Sequence, residues 1–156
     1  MIEKVKEYFK KFNIENKILE FDESSATVEL ASKALGVEAG RIAKTLSFDV
    51  NGKTVLIVVA GDRKIDNAKF KSFFGVKAKM LKFEEVEVRV GHSVGGVCPF
   101  AVNEGVDVYL DNSLKSFATI FPACGSSNSA IELTPIELEK YSNPKQWIDV
   151  CKQFSV

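Results

Sequence analysis

The sequence predicts an α+β fold built on a mixed β-sheet. Three observations carry that prediction. A tight-turn signal at Asn51-Gly52 joins two strand-like runs; helix start and stop signals are interspersed among further short strands; and 46% hydrophobic with 27% charged residues over 156 positions suits one globular unit. About seven strands and about four helices are expected, in one domain spanning residues 1–156.

Along the chain, Val5, Tyr8, Phe9 and Phe12 recur at three- and four-residue steps, so residues 2–13 predict an amphipathic helix. Lys17 to Phe21 alternates as a short strand. Thr27 caps a second helix, which Gly36 stops. Thr45–Val50 and Thr54–Val59 flank Asn51-Gly52, which tolerates the positive φ angles of a type I′ turn. Asp66 caps a helix running to Phe74 and closed by Gly75. Val76–Leu81 reads as a strand. Glu84–Val90 fits two assignments: its β-branched alternation suits a strand, and its acidic start suits a helix. In the second half, Val97–Val102, Val106–Leu110, Ala118–Pro122 and Ala130–Leu133 read as four short strands. Thr134-Pro135-Ile136-Glu137 then starts a helix, with a Thr cap, Pro at the first helical position and Glu three residues after the cap.

Composition removes several function classes. The longest uncharged apolar run, Thr54 to Gly61, is far short of the roughly 20 residues that cross a bilayer. Met1 to Asn13 alternates charged and apolar residues, unlike a signal peptide or anchor. Cys98, Cys124 and Cys151 are odd in number and widely spaced, which argues against a disulfide framework and a structural zinc site. A soluble cytoplasmic protein is expected.

The zero formal charge hides an asymmetry: residues 41–82 carry ten basic and three acidic side chains, residues 83–111 one basic and six acidic. The basic block attracts a phosphate backbone in a salt-dependent way if its members share a face; on charge alone a solvated helix and strand surface is the favoured reading. Gly91-His92-Ser93-Val94-Gly95-Gly96-Val97-Cys98-Pro99 is the most unusual stretch. Adjacent glycines let backbone approach a ligand and let N–H groups form an anion cradle, although a plain tight turn has the same spacing. His92 is the only histidine, so His-pair metal sites are excluded. Lys44, between Ile42-Ala43 and Thr45-Leu46, points into a cleft or snorkels to water. Asp111 and the loop Gly125-Ser126-Ser127-Asn128 line a cleft or cap turns. Cys98 and Cys124 lie in apolar runs as buried thiols, with a cysteine nucleophile as the minority reading.

An ordered set of these segments resembles the YbaK/EbsC family, free-standing relatives of the editing domain inserted in prolyl-tRNA synthetases. The segments are Ala31-Ser32-Lys33-Ala34-Leu35-Gly36, Ile42-Ala43-Lys44-Thr45-Leu46, the turn Gly91 to Pro99, Val108–Leu110 with Asp111, and Ile120 to Gly125. The likeness runs from Ser24 to Asp149. It implies a strongly curved mixed sheet wrapped by helices. It also implies hydrolysis of the ester joining a wrong amino acid to the terminal adenosine of a tRNA, with Cys-, Ala- or 2-aminobutyryl-tRNA(Pro) as substrates. The family's essential lysine falls on Lys44, and its substrate-contacting glycine pair on Gly95 and Gly96. The chain departs from the family where Gly91-His92 precedes that pair.

The resemblance implies the acceptor end of mischarged tRNA as substrate and a prolyl-tRNA synthetase as candidate partner, with no cofactor, metal, membrane or DNA. The catalytic set is Lys44, Gly95 and Gly96. The substrate-binding set is Thr27, His92, Val97, Pro99, Asp111, Gly125 and Ser126. In this scheme Lys44 fixes the terminal phosphate or the aminoacyl group, the two glycine amides stabilise the oxyanion, and His92 positions water. A non-catalytic module that binds aminoacyl-tRNA or a synthetase is the alternative.

Overall fold

The computed structural model describes residues 2–154. In its first half, α1 (Ile2–Lys10), β1 (Leu19–Glu20), α2 (Val28–Leu35), β2 (Ile42–Val50), β3 (Lys53–Ala60), β4 (Arg63–Ile65), α3 (Asn67–Phe74) and α4 (Phe83–Val90) follow one another. The second half contributes β5 (Asp107–Asp111), β6 (Phe121–Pro122), β7 (Ser129–Ala130), α5 (Pro135–Ser142), β8 (Gln146–Ile148) and β9 (Cys151–Gln153).

The hairpin of β2 and β3 is the frame. Asn51 at φ 54° and Gly52 at φ 87° make the turn, and the strands pair antiparallel from Val50↔Lys53 to Ala43↔Ala60. Around them the central sheet runs β6-β2-β3-β5-β8, with β6, β5 and β8 each joined in parallel to its neighbour. Two antiparallel ribbons, β1 with β7 and β4 with β9, flank it. The mixed sheet with five α-helices among the described residues is the expected α+β architecture.

Both cores rest on β3, whose Val55–Ala60 segment is at most 2% exposed because both sheet faces are covered. Leu56, Val58 and Ala60 turn to the larger core. There α1 brings Phe9 to 4.8 Å from the Phe100 ring and 6.2 Å from Tyr141. Val55, Ile57 and Val59 turn to the second core with Phe48, Phe70 and Val150. A third cluster joins Ala31 of α2 to Ile42, Phe121 and Ala130.

Helix termini follow the local chemistry. Leu30 N–H donates to Thr27 Oγ1 at 3.1 Å, Lys69 N–H to Asp66 Oδ1 at 3.0 Å, and Glu137 N–H to Thr134 Oγ1 at 3.1 Å. The ambiguous 84–90 segment is helical. Glu85 accepts the Lys82 N–H at 3.1 Å, and Val86 and Val90, four residues apart, bury one face.

Three expectations are corrected. The first helix ends at Lys10 rather than residue 13, because Asn13 takes φ 57° and turns the chain. Val76–Leu81 is no strand: it meets β2 only through the Phe48↔Met80 bridge, with Asp49 N–H donating to Lys79 O at 2.8 Å and Leu81 N–H to Ser47 O at 3.1 Å. Val97–Val102 is no strand either, since Pro99 lacks a donor and Ala101 sits at φ 53°.

Asp111, expected among the substrate-binding residues, is 2% exposed and structural. One carboxylate oxygen accepts the Ser113 N–H at 2.9 Å and caps the short 3-10 turn Asn112–Ser116; the other accepts the Val150 N–H at 2.9 Å. Replacing it strands two buried donors, so Asp111→Ala is expected to lower unfolding free energy by about 1–3 kcal/mol in a denaturant titration.

Candidate functional site

The outer edge of β2 carries the site. On that edge β6 pairs with Ile42 and Ala43 alone, and the next contact is the Phe48↔Met80 bridge. Lys44, Thr45 and Leu46 lie in the gap between. Because strand side chains alternate, Lys44 shares the face of its partner Val59, in the second core, and Thr45 that of Val58, in the larger one.

A cavity of about 100 Å³ occupies this gap. Its walls come from four segments: the α2 entrance (Ser25, Ala26, Thr27), β2 (Ala43, Lys44, Thr45), the glycine turn (Val94, Gly95, Val97) and the β6–β7 region (Phe121, Ala123, Ser129). Backbone bonds fix the loops. Ser25 N–H donates to Ser127 O at 2.6 Å and Phe21 N–H to Asn128 O at 2.8 Å, while Asn128 Nδ2 donates to Phe21 O at 2.8 Å. The approach is close at Gly95, where a Cβ would lie 3.1 Å from Ser127 Cβ and 3.4 Å from Ala26 Cβ.

Lys44 is half-buried, and burial pushes its pKa below the usual lysine range against the opposing pull of Cys151 and Asp62. Its Nζ sits 5.3 Å from the Phe154 ring centroid, a cation–π distance. The Thr45 hydroxyl is buried with no hydrogen-bond partner among the described residues.

The two glycines divide their labour. Gly96 N–H donates to Ser93 O at 2.9 Å, so it is not the second oxyanion donor expected from sequence. Gly96 is instead a packing glycine: a Cβ there would come within 2.5 Å of the Gly125 carbonyl carbon and the Ser126 nitrogen. Gly95 lines the cavity, and among the described residues no acceptor takes its N–H.

Of the remaining expected residues, Thr27 and Val97 line the cavity and the others do not. Pro99 is buried behind the turn, and Gly125, at φ 90°, backs onto Gly96. The Ser126 hydroxyl lies 3.0 Å from Asn128 Oδ1 and 2.7 Å from Ser129 Oγ, holding the loop from behind.

His92 is fully buried, its Nε2 donating to Phe100 O at 2.7 Å beside Cys98 Sγ at 3.5 Å; it does not reach the cavity to position water. Burial holds its pKa down to about 4. The Cys98 thiol is likewise enclosed and pushed up to about 12, which removes the thiolate a cysteine hydrolase needs.

Sequence reasoning missed Thr45, Ser25, Ala26 and Val94; adjacency to Lys44 and to the glycine turn was the available signal for Thr45 and Val94. Among the described residues there is no group of three side chains able to hold a metal, and no helix long and apolar enough to cross a membrane.

Two outcomes follow from this geometry. Gly96→Ala should fold poorly or melt well below wild type, whereas Gly95→Ala should fold and narrow the cavity; thermal unfolding separates them. His92 binds its proton less well folded than unfolded, so its contribution is complete above about pH 6.5 and lost as pH falls toward 4. His92→Gln should flatten that part of the stability profile.

The chain is similar to known proteins of one family. The family model for the aminoacyl-tRNA editing domain matches residues 22–141. The uncharacterized protein YwhH of Bacillus subtilis (strain 168) is 54% identical over 154 residues, covering 98% of both chains. The "Putative Cys-tRNA(Pro)/Cys-tRNA(Cys) deacylase EbsC" of Enterococcus faecalis is 29% identical across 79% of this chain and 76% of its own. A proline–tRNA ligase of Bacillus cytotoxicus is 26% identical over 79% of this chain, which spans only 22% of the ligase. Among solved structures, a "putative trans-editing enzyme for prolyl tRNA synthetase" superposes with a TM-score of 0.86 at 27% identity, covering 97% of this chain and 96% of its own. With the family model matched from the α2 entrance into α5, the chain belongs to the aminoacyl-tRNA editing domain family.

Proposed function

We propose that the protein is a trans-editing deacylase that removes a small wrong amino acid (cysteine, alanine or 2-aminobutyrate) from the acceptor end of tRNA(Pro). Aminoacyl-tRNA editing is the work of the family; the amino acid, the tRNA and any action beside prolyl-tRNA synthetase are the proposal. The observation that carries it is one small cavity shared by the half-buried Lys44 and the Gly95 amide.

An aminoacyl ester is already activated, so positioning and charge stabilisation suffice. Lys44 fixes the terminal phosphate or the aminoacyl group. Water adds to the ester carbonyl carbon, the Gly95 N–H receives the developing oxyanion, and the carbon–oxygen bond to the ribose breaks to release free amino acid and tRNA. For a cysteinyl ester the substrate's own thiol is an alternative nucleophile: its sulfur bonds the carbonyl carbon, the ribose oxygen leaves with the thiol proton, and the product is a cyclic thioester. One well-placed donor of this kind is worth about 3 kcal/mol.

Size supplies selectivity. The cavity, about 100 Å³, lies well below the roughly 300–1,000 Å³ of sites that hold a whole small-molecule ligand. It therefore takes an acyl group and rejects larger ones, a second sieve needed because one methylene is worth only about 1–3 kcal/mol in binding.

Electrostatics favour a polyanion. Arg41, Lys53 and Lys69 are committed to Glu132, Asp107 and Asp149. Lys71, Lys77, Lys79 and Lys82 are exposed and, among the described residues, in no ion pair.

The test is ester loss from tRNA(Pro) mischarged with each of the three amino acids. Wild type should deacylate at least one, Lys44→Ala should lose roughly 100-fold or more in rate, and the KM should rise with salt. Tight tRNA binding without turnover would instead indicate the non-catalytic module.

A further inference from the structure

The reaction cavity is too small for the nucleoside that carries the ester, and the structure offers an adjoining place for it. A groove of about 300 Å³ is lined by Thr45, Ser47, Met80, Leu81, Phe83, Val86, Val94 and Val97. Thr45, Val94 and Val97 also line the reaction cavity, so the two spaces meet at these three residues.

We infer that this groove is the subsite for the 3′-terminal adenosine, with Phe83 and Met80 as the surfaces against which the base packs. The inference rests on the deacylase reading and deepens it.

Four observations support it. Phe83 is 75% exposed and Met80 55%, an apolar platform left open beside the site, although Phe83 opens α4 where a polar residue would serve equally. The groove is apolar on its sides and carries two hydroxyls, Thr45 and Ser47, from one face of β2, which suits a ring with apolar faces and a polar edge. The Thr45 hydroxyl is buried without a partner at the shared wall, leaving a polar contact for the ribose or base edge to satisfy. Lys79 and Lys82, exposed and in no ion pair among the described residues, directly precede Met80 and Phe83 and suit the phosphates that follow the terminal nucleoside. Of the acidic side chains nearby, Glu85 is tied to Arg89 at 3.6 Å and to the Lys82 N–H, and Glu84 is exposed on α4.

The groove opens where the chain leaves β2: past the Met80 bridge and the Leu81 N–H bond to Ser47 O, residues 82 and 83 turn into α4 instead of running on beside Leu46 and Thr45.

The test is calorimetric titration of the full-length protein with the trinucleotide CCA to millimolar concentration, run beside deacylation kinetics. Base–aromatic stacking predicts that Phe83→Ala weakens trinucleotide binding about fivefold or more and raises the KM for mischarged tRNA more than it lowers kcat. Phe83→Trp should retain affinity. Val88→Ala, on an exposed position of the same helix, should bind as wild type does and control for helix integrity. Equal affinity in wild type and Phe83→Ala, or no trinucleotide binding by wild type, overturns the subsite even if deacylation proceeds. Phe83-dependent trinucleotide binding without deacylation sustains the subsite and defeats the proposed activity instead.

Discussion

The site depends on an interruption in sheet pairing. Backbone groups on a strand edge demand partners, and along β2 that demand is met at Ile42–Ala43 by β6 and again near Phe48 by Met80, but not by a strand in between. The interval lets a lysine and a threonine, which belong to opposite faces of the sheet, border one cavity. It also leaves room for the Val94–Gly96 turn to approach. A continuous sixth strand would give a more regular sheet and no site.

The rest of the molecule holds that interval open. Gly96 presses on Gly125 and Ser126, Ser25 and Phe21 are tied to the 127–128 backbone, and Asp111, one residue past the Val58↔Leu110 pair, is bonded to Val150. His92, outside the cavity lining, anchors the approach to the glycine turn through Phe100. Strand β9, which pairs with β4 and lies outside the family-matched segment, leads into Phe154, whose ring lies over the Lys44 ammonium. Burial lowers the lysine's proton affinity against the pull of Cys151 and Asp62, and no acidic side chain lines the cavity among the described residues.

Much of this was legible in sequence where the physics is local. The Thr27, Asp66 and Thr134 caps, the Gly36 and Gly75 stops and the Asn51-Gly52 turn depend on neighbours within a few residues, and they stand where the sequence puts them. Val97–Val102 and Val76–Leu81 were misread because β-propensity says nothing about whether a partner edge is free. Lys44 was ambiguous by composition and distinguished by its motif. His92 looked like a site residue because it precedes a glycine-rich turn, and Asp111 because it follows a strand end; only tertiary packing shows that Phe100 and Val150 claim them. Gly96 was found as a position but misread as a donor, since a turn's internal hydrogen bond is invisible in its composition.

The central claim is that the acyl group of a small aminoacyl ester occupies the cavity between Lys44 and Gly95. The most direct measurement is a crystal structure with alanine linked to adenosine through a stable 3′-amide. The account predicts the alanyl methyl inside the cavity, its carbonyl oxygen within hydrogen-bond distance of the Gly95 N–H, and the Lys44 ammonium facing the acyl or phosphate side. An analogue bound elsewhere on the molecule, with Gly95 and Lys44 untouched, would contradict it.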